Sequence, residues 1–242
     1  SDLIRERARS SAVGFASCAE IDEMGILPAT RLAMSRAIHA LTFFPDALLI
    51  AETWHDATRY LTQGDKFDTT MNYAFRDAAR DFFARRTASA ADFVHRINHT
   101  LSLYADITND VMFNLLDSHD TPRFLHDSGN DIRRQHLAAC FQMTFLGSPS
   151  IYYGNEIGMT GAKDPDCRRG MIWNEADQDL ETLTLYKKLI LLRKNEIALR
   201  KGSFRVLNHE EPGLVAFRRE AGNQSLICVL NNSDQTAQLS AG

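Results

Sequence analysis

This sequence of 242 residues lacks long apolar runs, an excess of positive charge and closely spaced cysteines. No apolar stretch reaches the roughly 18 residues of a membrane-spanning helix, so we expect no membrane partner. The chain has 27 Lys and Arg against 31 Asp and Glu. Without a basic stripe, we expect no nucleic-acid partner. Cys18, Cys140, Cys167 and Cys228 form no C-x-x-C pair, which predicts reduced thiols and a cytoplasmic location.

The composition is that of a globular protein, with 44% apolar and 24% charged residues. Short apolar runs alternate with segments of helical periodicity, which predicts an α/β fold with a parallel sheet. The predicted strands are 47–51, 67–73, 111–116 and 150–153, and the predicted helices are 29–43, 75–83, 93–104, 132–145 and 180–199. Residues 1–28 show no sustained period and stay unassigned.

The pattern changes after Gly202. Short alternating segments then follow one another, separated by turn residues. Their bounds are 204–206, 214–217, 226–230 and 237–239. We therefore predict two domains, an α/β part over 1–201 and a small, clipped antiparallel β domain over 202–242.

Polar clusters follow three of the predicted strands: 52–56 after the first, 117–121 after the third, and 154–156 with 164–169 after the fourth. The carboxyl ends of parallel strands share one edge of a sheet, where active sites form. A carboxyl group directly after a buried strand is partly desolvated, which suits a general acid. The alternative is that Glu52 caps or ion-pairs with a neighbouring loop. Carboxylates, a histidine and Trp54 at one edge favour a sugar site.

Three of these segments carry a family resemblance. Residues 51–57 (AETWHDA), 113–123 (FNLLDSHDTPR) and 147–158 (GSPSIYYGNEIG) resemble signatures of the α-amylase family, glycoside hydrolase family 13. The run 164–169 (DPDCRR) resembles the neopullulanase, cyclomaltodextrinase and maltogenic amylase branch. The resemblance implies the second half of a (β/α)8 TIM-type barrel, followed by the antiparallel β domain.

The resemblance also implies catalytic roles. Glu52 would be the general acid/base, which protonates the leaving oxygen and later activates water. Asp120 would be a third carboxylate that binds hydroxyls of the sugar being cleaved, and His119 would bind the same ring.

Further binding residues follow from the same resemblance. Asp164 and Arg168 would hold the next glucose outward, and Trp54 would be the aromatic platform on the leaving-group side. The implied substrate is an α-glucan oligosaccharide. No cofactor or metal is implied, and calcium, although bound by many amylases, is not indicated.

The nucleophile is where the sequence departs from the family. A retaining glycosidase needs a second carboxylate about 5 Å from the acid. The family supplies it in a Gly-x-Arg-x-Asp segment just under thirty residues before the acid, a spacing that leads to Glu23 and the neighbouring Asp22. Neither has the family's Arg or apolar lead-in, so an exposed loop acid is the favoured interpretation of Asp22, and no nucleophile is assigned.

Two functions therefore stay open. The first is a retaining hydrolase of α-1,4-glucosidic bonds in maltodextrin, cyclodextrin or pullulan, of which this chain is an incomplete portion. The second is an inactive α-glucan-binding or structural relative that lacks the nucleophile. A half barrel would expose two strand edges, so we expect self-association or a missing N-terminal half.

Overall fold

The computed structural model describes residues 12–40, 49–61, 67–208 and 211–237. The chain divides into two compact units, residues 1–47 and 48–242. Across the described ranges, no helix is both long enough and apolar enough to cross a membrane.

The described part of the first unit contains helices α1 (Cys18–Met24) and α2 (Ile26–His39). Ser17 begins α1, because its hydroxyl accepts from the Glu20 amide while the Glu20 carboxylate binds the Ser17 amide. Arg36 of α2 lies 2.6 Å from the same carboxylate. The Arg36 hydrogen bond, followed by those from Ser17, lowers the pKa of Glu20 to about 2.

The second unit contains four short parallel strands, namely β1 (Ile50–Ala51), β2 (Thr69–Thr70), β3 (Phe113–Leu115) and β4 (Ser148–Ser150). Strand β1 pairs with β2, and β3 pairs with β4, in both cases parallel. A parallel bridge between Met71 and Phe113 joins the two pairs. The strands therefore lie side by side in chain order, and the predicted parallel pairing is confirmed.

Helices connect and follow these strands. They are α3 (Thr58–Leu61), α4 (Tyr73–Ala79), α5 (Ala90–Leu103), α6 (Asp106–Asn109), α7 (Phe124–Asp127), α8 (Ile132–Thr144), α9 (Leu180–Asn195) and α10 (Ile197–Lys201). A π-helical turn, Arg80–Ala84, extends α4. Ser89 begins α5 because its side chain and that of Asp92 exchange hydrogen bonds with each other's backbone amides.

An antiparallel sheet follows, formed by β5 (Ser203–Asn208), β6 (Leu214–Ala221) and β7 (Gln224–Asn231) in that order. It confirms three of the four predicted antiparallel segments, 204–206, 214–217 and 226–230, and extends each of these three. Gly222, with φ of 58°, forms the tight turn between β6 and β7, a conformation that favours glycine.

The core of the second unit joins the helices to this sheet. Phe75 stacks on Phe141 at 5.3 Å, and Phe141 meets Phe217 of β6 edge to face at 5.8 Å. Phe145 contacts Phe204 of β5 at 4.9 Å. The sheet begins at Ser203, one residue after the start of the predicted second domain at residue 202, but it shares one core with the helices. The division into 1–201 and 202–242 stays a prediction.

Two element predictions are wrong. The strand expected at 150–153 lies at Ser148–Ser150 instead, because the chain turns at Gly154 (φ 87°). The helix expected at 180–199 breaks at Glu196, whose backbone is extended. Gln224 of β7 binds both the Glu196 carboxylate and the amide of Ala198, and these bonds favour a second helix start.

Other boundaries also differ. Tyr73, expected in a strand, begins α4, because the Asn72 side chain accepts from the Phe75 amide and caps the helix. Ala237 is not in a strand, and the rest of 237–239 lies outside the described residues. Residues 41–43 of the predicted helix 29–43 and residues 47–48 of the first predicted strand lie outside them as well.

Candidate active site

The ends of β1 and β3 bring three predicted site residues together. Glu52 follows β1 directly, while His119 and Asp120 lie in the loop after β3. The His119 Nε2 atom lies 4.0 Å from Glu52 Oε1 and 3.3 Å from Asp120 Oδ2. Each side chain is partly exposed, so the group faces solvent and is open to a ligand.

The loop after β4 adds a guanidinium to this group. Arg168 Nη2 lies 2.8 Å from Asp120 Oδ1, and Arg168 Nε lies 2.8 Å from Asp164 Oδ1. Arg168 Nε also donates to the backbone carbonyl of His119. The structure thus places Asp164 and Arg168 beside the other predicted site residues.

Trp54 lies on a buried tyrosine. Its indole stacks on the ring of Tyr73 with 4.1 Å between ring centroids and 14° between planes, and it is 48% exposed. The Tyr73 hydroxyl lies 3.5 Å from Glu52 Oε1 and 3.2 Å from Ser118 Oγ. Burial raises the pKa of Tyr73, which keeps the hydroxyl protonated and able to donate. Sequence reasoning missed Tyr73, because it was placed in a predicted strand.

A buried carboxylate closes the loop that carries His119 and Asp120. Asp117 Oδ2 accepts from the Phe124 amide at 2.7 Å, and Oδ1 accepts from Asn155 Nδ2 at 2.6 Å. Burial raises the pKa of Asp117 to about 6, although both hydrogen bonds act in the opposite direction.

A fully buried arginine holds the neighbouring loops. Arg123 Nε donates to the Cys167 carbonyl at 3.1 Å, and Nη1 donates to the Tyr153 carbonyl at 2.7 Å. Its guanidinium carbon lies 4.5 Å from the ring centroid of Tyr152. The quoted signature 113–123 ends at this arginine, but sequence reasoning gave it no role. A buried arginine is rare unless it is paired, but its burial is visible only in the structure, so no sequence signal would have found it.

The chain is similar to known proteins in sequence. A family model described as "Alpha amylase, catalytic domain" matches residues 29–179. The chain belongs to the alpha-amylase family. It is 48% identical over 191 residues to a cyclomaltodextrinase of Thermoanaerobacter pseudethanolicus, covering 79% of this chain and 33% of that protein. It is 46% identical over 189 residues to neopullulanase 2 of Thermoactinomyces vulgaris, covering 78% and 32%.

This alpha-amylase family chain is also similar to solved structures of relatives. A solved cyclomaltodextrinase superimposes with a TM-score of 0.74 at 41% identity, over 77% of this chain and 32% of that one. The chain thus spans about a third of the length of the relatives it matches. The predicted family resemblance is confirmed.

Among the described residues, the group of Glu52, His119 and Asp120 is the one whose donor atoms lie close enough to hold a metal ion, within 4.8 Å of one another. The family resemblance gives these residues other roles, Glu52 as the general acid/base and His119 and Asp120 as residues that bind the sugar. The expectation that no metal or cofactor is bound, calcium included, stays a prediction.

The spacing of the two carboxylates bears on the nucleophile. Glu52 and Asp120 oxygens lie within 4.8 Å, close to the roughly 5 Å of a retaining pair. However, one Asp120 oxygen faces Arg168 and the other faces His119. This environment suits a carboxylate that binds hydroxyls rather than one that attacks.

The two weak nucleophile candidates lie elsewhere in the chain. Asp22 and Glu23 are exposed and belong to the other compact unit. The favoured interpretation of Asp22 as a loop acid is wrong in one respect, since it lies in α1, which the Ser17 cap begins. Its exposure agrees with the favoured interpretation of a surface acid.

Proposed function

We propose that this chain carries the acid/base side of the active site of a glycoside hydrolase. The proposed substrates are α-1,4-glucosidic bonds of maltodextrin, cyclodextrin or pullulan, cleaved with retention. The observation that carries the proposal is the convergence of Glu52, His119 and Asp120 at the ends of parallel strands. The names of the similar proteins, cyclomaltodextrinase and neopullulanase, agree with these substrates.

Glu52 has the geometry for acid/base work. It is partly exposed to solvent, so a glycosidic oxygen and later a water can reach it, and Tyr73 donates to it from below. In the proposed reaction, Glu52 protonates the leaving oxygen and then removes a proton from the attacking water.

The surrounding side chains bind the sugars on either side of the cleaved bond. Asp120 and His119 accept from or donate to ring hydroxyls, and charge-assisted hydrogen bonds of this kind are strong. Arg168 keeps Asp120 in place and, together with Asp164, binds the next glucose. The exposed part of Trp54 offers an apolar surface for the leaving-group sugar.

The architecture of this enzyme follows from the strands. We propose that β1 to β4 are strands 5–8 of a (β/α)8 barrel. Each of β1 and β4 pairs with one described neighbour, so each has a further edge for pairing. That edge would be covered by further barrel strands or by a second copy of this chain, and sedimentation of a compact monomer of about 27 kDa would contradict this.

A second candidate is an α-glucan-binding relative without hydrolytic activity. The surroundings of Asp120 favour this candidate. The two oxygens of the Asp120 carboxylate face Arg168 and His119. Such a protein would bind the same oligosaccharides through Trp54 and Arg168 without forming a glycosyl-enzyme.

The test measures hydrolysis and binding in parallel. Reducing-sugar release from γ-cyclodextrin is followed for the protein and for Glu52→Gln, and maltotriose binding is measured by calorimetry for both and for Trp54→Ala. The matched control is Glu175→Gln, an exposed acid in a separate turn.

The outcomes separate the two candidates. Hydrolysis that Glu52→Gln abolishes while binding persists supports the hydrolase. Binding that Trp54→Ala weakens, without any hydrolysis, supports the glucan-binding protein. Neither binding nor hydrolysis contradicts both.

A further inference from the structure

The amide of Asn155 lies between two loops that carry predicted sugar-binding residues. The His119 loop (residues 117–124) follows β3, and the Arg168 loop (residues 161–168) follows β4. Asn155 begins the short 3-10 turn between β4 and the Arg168 loop. It is 3% exposed, so its side chain must find its hydrogen-bond partners within the protein.

The donor side of this amide faces the His119 loop. Asn155 Nδ2 donates to Asp117 Oδ1 at 2.6 Å. The other Asp117 oxygen accepts from the Phe124 amide at 2.7 Å. Because Asp117 and Phe124 lie at the two ends of the loop, Asn155 binds the carboxylate that closes it.

The acceptor side faces Arg123, a residue of the His119 loop whose guanidinium holds the Arg168 loop. Asn155 Oδ1 accepts from Arg123 Nη1 at 3.3 Å. Arg123 in turn donates through Nε to the Cys167 carbonyl and through its backbone amide to the Gly161 carbonyl. These two carbonyls lie near the two ends of the Arg168 loop.

We infer that Asn155 is a positioning residue that fixes the His119 loop relative to the Arg168 loop. The two neighbours demand opposite hydrogen-bonding character, because the carboxylate of Asp117 needs a donor and the guanidinium of Arg123 needs an acceptor. A side-chain amide supplies both from one planar group. Its own backbone is fixed as well, since the Asn155 carbonyl accepts from Gln135 Nε2 at 2.6 Å.

The consequence for sugar binding rests on the proposed function. Arg168 contacts Asp120 across the two loops at 2.8 Å, and a shift of one loop would separate this pair. A loss of the Asn155 bridge therefore weakens the hold on an oligosaccharide without removing any group that touches it.

The reactivity of the Cys167 thiol, which lies in the Arg168 loop, measures whether the Asn155 hydrogen bonds hold that loop in place. This measurement needs no ligand. Cys167 is fully buried, and its Sγ contacts the His119 carbonyl at 3.2 Å. Cys140 of α8 is packed against the phenylalanine core and serves as the internal control. Alkylation of each cysteine by iodoacetamide is followed by peptide mass spectrometry.

The variants remove one or both hydrogen bonds of the amide. In Asn155→Ala, which loses both, we expect Cys167 to react at least about tenfold faster while Cys140 is unchanged. Asn155→Asp keeps the acceptor for Arg123 and, at pH 8 or above, where the carboxyl pair is deprotonated, loses the donor for Asp117; under these conditions we expect Cys167 to stay protected. Asn98→Ala, on the exposed face of α5, is the matched control.

Maltotriose binding by calorimetry gives the second measurement. We expect at least about tenfold weaker binding in both Asn155 variants and unchanged binding in Asn98→Ala. If the unaltered protein does not bind maltotriose, the proposed function fails, and the alkylation rates still decide the positioning role.

Three results would overturn the inference. One is an Asn155→Ala protein whose Cys167 reacts like that of the unaltered protein. Another is equal acceleration at Cys167 and Cys140, which would mean a general loss of stability. The third is an Asn155→Asp protein with Cys167 as reactive as in Asn155→Ala.

Discussion

Replacement of Arg219 by Met should destabilise the protein more than any exposed substitution in the same sheet. The guanidinium is buried and donates to the backbone carbonyls of Thr144, Ser203 and Gly202. Methionine fills much of the space but leaves these acceptors without a partner. An unsatisfied buried acceptor costs about 1–3 kcal/mol.

The gain from no longer burying a charge offsets part of this loss. Burial, with the nearby Arg193 second, lowers the pKa of Arg219 to about 10, so desolvation of the guanidinium carries a real cost. Three acceptors at about 1–3 kcal/mol each, less that offset, lead us to expect a net loss of about 3–5 kcal/mol in the free energy of unfolding.

Urea unfolding followed by far-ultraviolet circular dichroism measures this difference. The matched control is Arg205→Met on the neighbouring strand, where the side chain is exposed and the expected change is within about 0.5 kcal/mol. The reasoning is refuted if Arg219→Met lies within about 1 kcal/mol of the unaltered protein, or if Arg205→Met loses as much.

Three further predictions concern the site and its supports. Burial raises the pKa of Asp117 from 3.8 to about 6, so the native state binds the proton more tightly than the unfolded state does. The stability that this bound proton contributes is lost as the pH rises from about 4 to 6. The free energy of unfolding of Asp117→Asn should therefore rise by about 3 kcal/mol relative to that of the unaltered protein between pH 4 and 7. Parallel curves of the free energy of unfolding against pH would contradict this. Tyr73→Phe keeps the stack under Trp54 but loses the donor to Glu52, so we expect hydrolysis of γ-cyclodextrin to fall about three- to tenfold with unchanged maltotriose binding; equal losses in both would point to a packing role. Ser89→Ala removes the cap of α5 and should lower the free energy of unfolding by about 1 kcal/mol in the same urea assay, and no change would mean that the α5 terminus is held by other contacts.

Much of the fold could be predicted from the sequence because the periodic signals were local. The stripe around Phe75 and Phe82 lies on one face at helical spacing, and the structure buries both residues. The strand signal was weaker for a physical reason, since each of the four parallel strands has only two or three residues.

The break at Glu196 could not be predicted from local sequence. The segment has good helix formers throughout, and the break depends on Gln224, which arrives from the antiparallel sheet 28 residues later. Likewise, the turn after Ser150 depends on Arg123, whose guanidinium binds the Tyr153 carbonyl. Both are tertiary effects that outweigh local propensity.

The candidate site was more predictable than its supports. Glu52, His119 and Asp120 are polar residues directly after apolar runs, and the parallel topology alone brings such residues together. Tyr73, placed in a predicted strand, and Asn155, within the polar cluster 154–156, were given no role because each acts through a hydrogen-bonding group that points inward. Nothing in the sequence shows which polar side chain will be buried.

The ring contacts between the helices and the antiparallel sheet also constrain how this part of the molecule can change over evolution. The rings of Phe204 and Phe217 contact each other. Phe204 also contacts Phe145, and Phe217 also contacts Phe141. The sheet therefore cannot be replaced without matching changes in the residues that pack against it. A recombination event that replaced residues 203–231 would need compatible rings at Phe141 in α8 and at Phe145 directly after it. Exchanges between relatives should succeed when residues 132–145 and the sheet are inherited together.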